Sequence, residues 1–224
     1  MSGSASPRCG ICGARARTAF RAPDPEVAPD LDMRPGEPAW DTLADWVQTC
    51  DSCGAAAPDL AALPATAKAV VQSPTYRQLV DQDAEETLAF RRWAALCRAA
   101  GDEQAAVEAM LMAAWAADDA ATMLEASRLR LAVAAAWSDT PDQDTALWRL
   151  DMLRRSSDFA AADAWADTLE TRTLDSAGKA ILAYQRWCIS RRDIGRHLVS
   201  SALPPGVSHE GLKRPAFWSW LFRN

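Results

Sequence analysis

Apolar residues recur every three or four positions along most of the chain after Pro74, which is the spacing of one face of an α-helix. Gly101 follows the first long run, while Asp142 and Asp158 precede two later ones, as expected of residues that end and begin helices. The pattern predicts six long helices, over about 83–100, 102–117, 118–137, 142–156, 159–169 and 177–188. Short connections between them favour antiparallel neighbours.

Helical hairpins of this kind are typical of tetratricopeptide-like proteins. Two stretches, near Gly101 and near Phe159, resemble that repeat locally, but their separation is no multiple of its period of about 34 residues. The sequence therefore predicts a tetratricopeptide-like helical domain and not a regular array. Along the third helix, one stripe contains Leu124, Ser127, Leu131 and Ala135.

The first 60 residues differ from the rest, since they carry most of the prolines and little helical periodicity. The composition predicts an N-terminal module over 1–60, a helical domain over 61–202 and a C-terminal tail over 203–224. Two short strands are expected in the module, one around Leu43, Trp46 and Val47 and one over 15–20.

Two CxxCG motifs, CGICG and CDSCG, place four cysteines in this module: Cys9, Cys12, Cys50 and Cys53. Each CxxC turn can offer two thiolates to one metal, and the glycine after it permits the turn. A separation longer than in common zinc ribbons is tolerable, because loop closure grows costly only slowly with length. The motifs predict a structural zinc ion, and the fold class is mainly α with a small zinc-ribbon-like β module.

Iron is the main alternative metal, because rubredoxin-like electron carriers also bind one metal with two such motifs. The aromatic residues expected after the first motif are absent over 14–19. A thioredoxin-like redox role is disfavoured because no βαβ pattern surrounds either motif. The remaining cysteines, Cys97 and Cys188, lie in apolar helical patterns and are expected to be core thiols.

The net charge and the hydropathy of the chain argue against some classes of function and some locations. A net charge of −6 argues against a general nucleic-acid binder, although Arg8, Arg15, Arg17 and Arg21 surround the first motif and leave that class as an alternative. No signal peptide or membrane span is recognisable, so a cytoplasmic location is expected.

Three further groups of residues are candidates for function. Asp30, Asp32 and Arg34 lie in the proline-rich loop between the motifs and could bind a small charged ligand, as in an enzyme or enzyme subunit. An aromatic cluster in the tail could contact a partner or fold back over the last helical hairpin: Phe217, Trp218, Trp220 and Phe222. The two histidines, His197 and His209, match no catalytic motif and are expected to have capping or surface roles.

The segment PDLDMRPGEPAWDTLADWVQTCDSCGAAAPDL, together with the first CxxCG motif and the helix end SRRDIGRH, resembles the uncharacterised bacterial family called domain of unknown function 2225. The resemblance rests on the four cysteines and on the run from Asp30 to Pro35. It departs at Asp51, Ser52 and Ala55, where family members often have a proline and an aromatic residue. It implies a zinc-ribbon-like head and a tetratricopeptide-like body, without an activity.

Taken with the absence of a recognisable catalytic motif, these features predict a non-enzymatic scaffold that binds another protein or a peptide. The small-ligand enzyme, the electron carrier and the nucleic-acid-binding ribbon remain alternatives.

Overall fold

A computed structural model describes residues 6–82, 85–207 and 212–222 of the chain. His209 lies outside the described residues. Ten α-helices form within them: α1 (Lys68–Gln72), α2 (Pro74–Gln82), α3 (Glu85–Ala99), α4 (Glu103–Asp119), α5 (Met123–Ala136), α6 (Gln143–Arg155), α7 (Phe159–Glu170), α8 (Ser176–Ser190), α9 (Val199–Ala202) and α10 (Phe217–Leu221). The six predicted helices correspond to α3 through α8 and are confirmed.

Two short antiparallel strands, β1 (Gln48–Thr49) and β2 (Ala56–Ala57), form the only sheet in the described part of the chain. Short 3-10 helices cover Ala39–Asp45, Leu60–Ala62 and Ala65–Ala67. The chain is therefore mainly helical with a small β module near its N-terminus, as the sequence predicts. A tetratricopeptide-like arrangement of the helices stays a prediction.

The strand predictions near the cysteines are wrong in position. Leu43 lies in a 3-10 helix, and Trp46 and Val47 precede β1. These three residues are all buried, and their i, i+3, i+4 spacing is that of a helical face rather than of a strand. No strand forms over 15–20, although Arg15 makes an isolated antiparallel bridge with Arg8.

The chain divides into two compact units, each assembled from separate stretches of sequence. The first, here called the cysteine unit, comprises Met1–Pro23, Thr42–Thr122 and Ala216–Asn224. In it α3 packs along α4, and α4 is buried on nearly all sides, as its run of alanines allows. Trp46, Trp115 and Phe217 form an aromatic core with ring centroids 5.6–6.3 Å apart.

The second, here called the helical unit, comprises Asp24–Asp41 and Met123–Pro215. In it α6 packs against α5, α7 and α8, and α7 packs against α8. Leu147, Leu150 and Leu153 of α6 are buried in this core, as the sequence pattern predicts. No helix in the described part of the chain is both long enough and apolar enough to cross a membrane.

Candidate metal centre

The two CxxCG motifs fold into the same turn twice. In the first, the backbone N–H of Cys9 donates to the carbonyl of Ala14, and Gly13 donates back to Cys9, both at 2.8 Å. In the second, Cys50 donates to Ala55 and Gly54 donates back to Cys50, again at 2.8 Å. Gly13 and Gly54 have φ angles of 73° and 72°, a left-handed conformation that favours glycine.

This repeated turn brings the four sulfurs into one cluster. The Sγ atoms of Cys9 and Cys53 are 3.9 Å apart, and those of Cys12 and Cys50 are 3.6 Å apart. All four sulfurs lie within 4.8 Å of one another. These distances are far longer than the S–S bond of about 2.05 Å in a disulfide. Four thiolates around a tetrahedral metal, each at about 2.3 Å, lie about 3.8 Å from one another. The cluster therefore fits a metal ion.

The cluster is buried on one side and open on the other. Cys9 and Cys50 are buried, Cys53 is half-buried and Cys12 is exposed. Burial raises the pKa of the Cys50 thiol and raises that of Cys53 to about 12, whereas the backbone N–H of Ala14 helps lower the pKa of Cys12 to about 7. A bound cation would provide the positive charge that four thiolates require here.

Neighbouring backbone and side chains fix both turns. The Tyr76 hydroxyl on α2 donates to the carbonyl of Gly54 at 3.1 Å, and the N–H of Gly10 donates to Leu60 at 2.9 Å. A Cβ atom at Gly10 would lie 1.9 Å from the carbonyl oxygen of Leu63, so only glycine fits there. No pattern in the sequence identifies Tyr76 as part of this site, because its hydrogen-bond partner, Gly54, lies 22 residues away.

The predicted ligand loop lies in the helical unit, where its charged groups are buried and paired. The Asp32 carboxylate is fully buried and accepts from Arg155 at 2.8 Å, and Asp30 accepts from Arg196 at 2.9 Å. Burial and the charge of Asp32 raise the pKa of Asp30 to about 7. The Arg34 guanidinium is also buried and lies 4.4 Å from the centre of the Trp40 ring. These contacts hold the loop to α6 and to the segment after α8.

The aromatic tail is part of the cysteine unit. The Glu108 carboxylate on α4 accepts from the backbone N–H groups of Ala216 and Phe217 at 3.0 and 2.9 Å. Phe217 and Trp218 are buried, whereas Trp220 and Phe222 are half-exposed. The tail folds back, but the expected location over the last helical hairpin is wrong, because its aromatic rings pack beside α4. Partner contact through its half-exposed rings stays a prediction.

A second, smaller cluster was not predicted. Ligand atoms of Cys188, Asp193 and His197 lie within 4.8 Å of one another in the helical unit. His197 already contacts side chains through both ring nitrogens, Asp193 at 2.9 Å and the Tyr184 hydroxyl at 3.0 Å. The arrangement fixes the turn after α8. Cys188 is a buried core thiol, as expected, and Cys97 is half-buried.

Comparisons with known proteins do not extend these findings. No protein-family model matches the chain, and neither curated proteins nor solved structures give a match.

Proposed function

We propose that the protein binds one structural zinc ion through Cys9, Cys12, Cys50 and Cys53. The observation that carries this proposal is the set of sulfur–sulfur distances, 3.6 and 3.9 Å, which bracket the edge of a zinc–thiolate tetrahedron. Four cysteine ligands fill the coordination of zinc and leave no position for a reacting water. The ion therefore stabilises the cysteine unit and does not act on a substrate.

Iron would also fit these four sulfurs, so the residues around the cysteines must decide between zinc and iron. Rubredoxin-like sites pack aromatic residues close to the first motif, whereas this chain has only small or polar residues over 14–19. Zinc is favoured for that reason.

Metal analysis of the full chain, purified without added metal, tests the site. We expect one zinc per chain and a lower melting temperature after chelation, because structural zinc contributes directly to folding. Cys50→Ser should lose the metal, whereas the matched variant Cys97→Ser, which removes a thiol outside the cluster, should retain it. A red, iron-containing protein would identify an iron site, and metal-free protein would contradict the proposal.

We further propose that the protein acts by binding another protein through α5 of the helical unit. On the stripe identified in the sequence, Leu124 is exposed by 86% and Leu131 by 40%, whereas Ser127 is half-buried and donates to the carbonyl of Ser156. Ala135 continues the stripe at helical spacing, and it too is exposed. Two exposed leucines seven residues apart, with the exposed Arg128 between them, form a mixed face that suits an amphipathic helix, and we assign a helix of a protein partner as its occupant.

The α5 proposal is tested by in-cell crosslinking followed by mass spectrometry of the crosslinked peptides. Crosslinks from α5 to one recurring partner helix should disappear in Leu124→Asp, because a charge in the contact would be desolvated. The control Asp163→Asn changes an exposed, paired side chain on α7 of the same unit and should retain them. Crosslinks that persist in Leu124→Asp would contradict this assignment.

Membership in the family called domain of unknown function 2225 remains a proposal. The small-ligand enzyme, the electron carrier and the nucleic-acid-binding ribbon remain alternative functions. The nucleic-acid alternative is supported by exposed Arg8, Arg15 and Arg17 near the first turn. The enzyme alternative has less support, because Asp30 and Asp32 are already paired with arginines.

A further inference from the structure

A cavity of about 300 Å³ lies beside the metal centre, within the cysteine unit. Cys12, Ser52 and Cys53 form the wall on the side of the metal, and α1 and α2 contribute Val71 and Tyr76. The volume is at the lower end of the range for small-molecule sites. The cavity is therefore large enough for a small metabolite but not for a folded partner.

Positive charge distinguishes this cavity. Lys68, Arg77 and Arg92 all line it, and no aspartate or glutamate is among its lining residues. Within the described residues, none of these three side chains forms an ion pair or a hydrogen bond to a carboxylate. Other arginines of the chain, whose net charge is −6, do pair with acids, as Arg154 and Arg186 show. These three cations, none with an acid partner among the described residues, outweigh the charge of about −2 that a zinc–thiolate centre would place on the same wall, and the positive balance favours an anion there.

Arg92 has a particular position in this group. Its guanidinium lies 3.6–3.7 Å from the place where a Cβ atom of Gly54 would be, so it rests directly on the second cysteine turn. Its Nε atom is buried and has no hydrogen-bond partner. A zinc ion with four thiolates carries a net charge of about −2, and Arg92 is placed to offset part of it. Lys68 and Arg77 project from α1 and α2 and are exposed, so their charges remain available to a ligand.

The remaining wall suits a small organic anion. The Tyr76 hydroxyl is occupied by its hydrogen bond to Gly54, and the Arg92 guanidinium lies 5.8 Å from the centre of its ring. Tyr76 and Val71 therefore contribute carbon atoms rather than free donors to the wall. The Ser52 hydroxyl is exposed at the rim and can donate to an oxyanion. Cationic donors on one side and an apolar wall on the other are typical of sites that orient a charged metabolite.

We propose that this cavity binds a small organic anion through its phosphate or carboxylate group, with Lys68 and Arg77 as the principal donors. The proposal rests on the proposed metal-binding function in one respect, since the second cysteine turn forms a wall of the cavity. The ligand does not enter the metal coordination, because four sulfurs already fill it.

Calorimetric titration of the full chain, with its metal content measured on the same preparation, tests this inference. AMP serves as the phosphate probe, glutarate as the carboxylate probe and adenosine as the uncharged probe. We expect AMP or glutarate to bind and adenosine not to bind, and the anion that binds identifies the ligand class. Arg77→Gln and Lys68→Gln should each weaken binding by about tenfold, the effect of losing a hydrogen bond to a charged group.

The matched control is Arg98→Gln, which removes the same charge outside the cavity. Arg98 lies near the C-terminal end of α3, where it forms an exposed ion pair with Glu103. It should change the affinity by less than about twofold, as expected of an exposed pair. Metal-loaded protein that binds neither anion, or equal weakening in Arg98→Gln and Arg77→Gln, would overturn the anion site and leave the metal site standing. Protein without metal would instead overturn the metal proposal.

Discussion

Buried charged side chains order the proline-rich loop of the helical unit. Asp32 and Arg34 are fully buried, although the proline-rich loop that carries them has the composition of an exposed segment. Removing a charge from water costs several kcal/mol unless a partner offsets it. Here Arg155 on α6 provides that partner for Asp32 at 2.8 Å. The loop is thus ordered by charge pairing across the unit.

The Asp32–Arg155 pair leads to a prediction at this scale. Asp32→Asn keeps the size of the side chain but removes the carboxylate charge that pairs with the buried Arg155, so the free energy of unfolding should fall by about 3–5 kcal/mol. Urea denaturation followed by tryptophan fluorescence measures this change. The control Asp163→Asn breaks an exposed pair with Arg186 and should cost less than about 1 kcal/mol. A loss in Asp32→Asn as small as in the control would return Asp32 to the candidates for ligand binding.

At the scale of helices, local signals explain what the sequence could predict. Asp102, Asp142, Asp158 and Asp175 each accept a hydrogen bond from the backbone N–H three residues later, at the first turns of α4, α6, α7 and α8. Such caps are visible in the sequence because donor and acceptor lie within four residues. The two cysteine turns were predictable for the same reason.

Elements that depend on distant residues were not predictable in this way. Trp46 follows a 3-10 helix and does not extend β1, because its ring packs against Trp115 and Phe217, which lie far away in the sequence. The position of the tail likewise depends on Glu108, which is more than 100 residues away and caps it through two backbone N–H groups. The cavity beside the cysteine cluster is likewise formed by residues of α1, α2, α3 and both cysteine turns.

Asp175 gives a prediction for helix capping. The N–H of Gly178 lowers the pKa of its carboxyl, so its charged form stabilises α8 at pH values above the unfolded pKa of about 3.9. This stabilisation is lost as the pH falls through the lower pKa of the folded state. Asp175→Ala should lower the free energy of unfolding by about 0.5–2 kcal/mol at pH 7.

Thermal melting from pH 7 to pH 2 tests the sign of this effect. Asp175→Asn retains a capping group without the charge. The difference in melting temperature between this variant and the original chain should therefore shrink below about pH 4. Asp163→Asn, which caps no helix, is the control. A difference that grows as the pH falls would contradict the assignment.

For the whole molecule, the cysteine cluster belongs to one compact unit and the charged loop to the other. The cysteine unit combines the N-terminal turns, α3 and α4 with the C-terminal aromatic residues, so residues from both ends of the chain share its core. Strand β2 leaves the second cysteine turn and packs on α3. Loss of the metal should therefore disturb that core directly. The helical unit has its own core around α6, with no metal-binding cysteine from either turn.

Hydrogen–deuterium exchange of the full chain, before and after chelation, tests whether the metal acts on one unit. Without metal, the amides of Cys50 and Gly54 and those of β1 and β2 should exchange much faster, because the thiolates no longer share a cation that holds the two turns together. Amides of α6 and α8 should keep their protection, since their hydrogen bonds and apolar contacts lie within the helical unit. Added zinc should restore slow exchange in the turns, which separates metal loss from damage by the chelator. Equal acceleration in α6 and in the cysteine turns would mean that the ion stabilises the whole chain as a single cooperative unit.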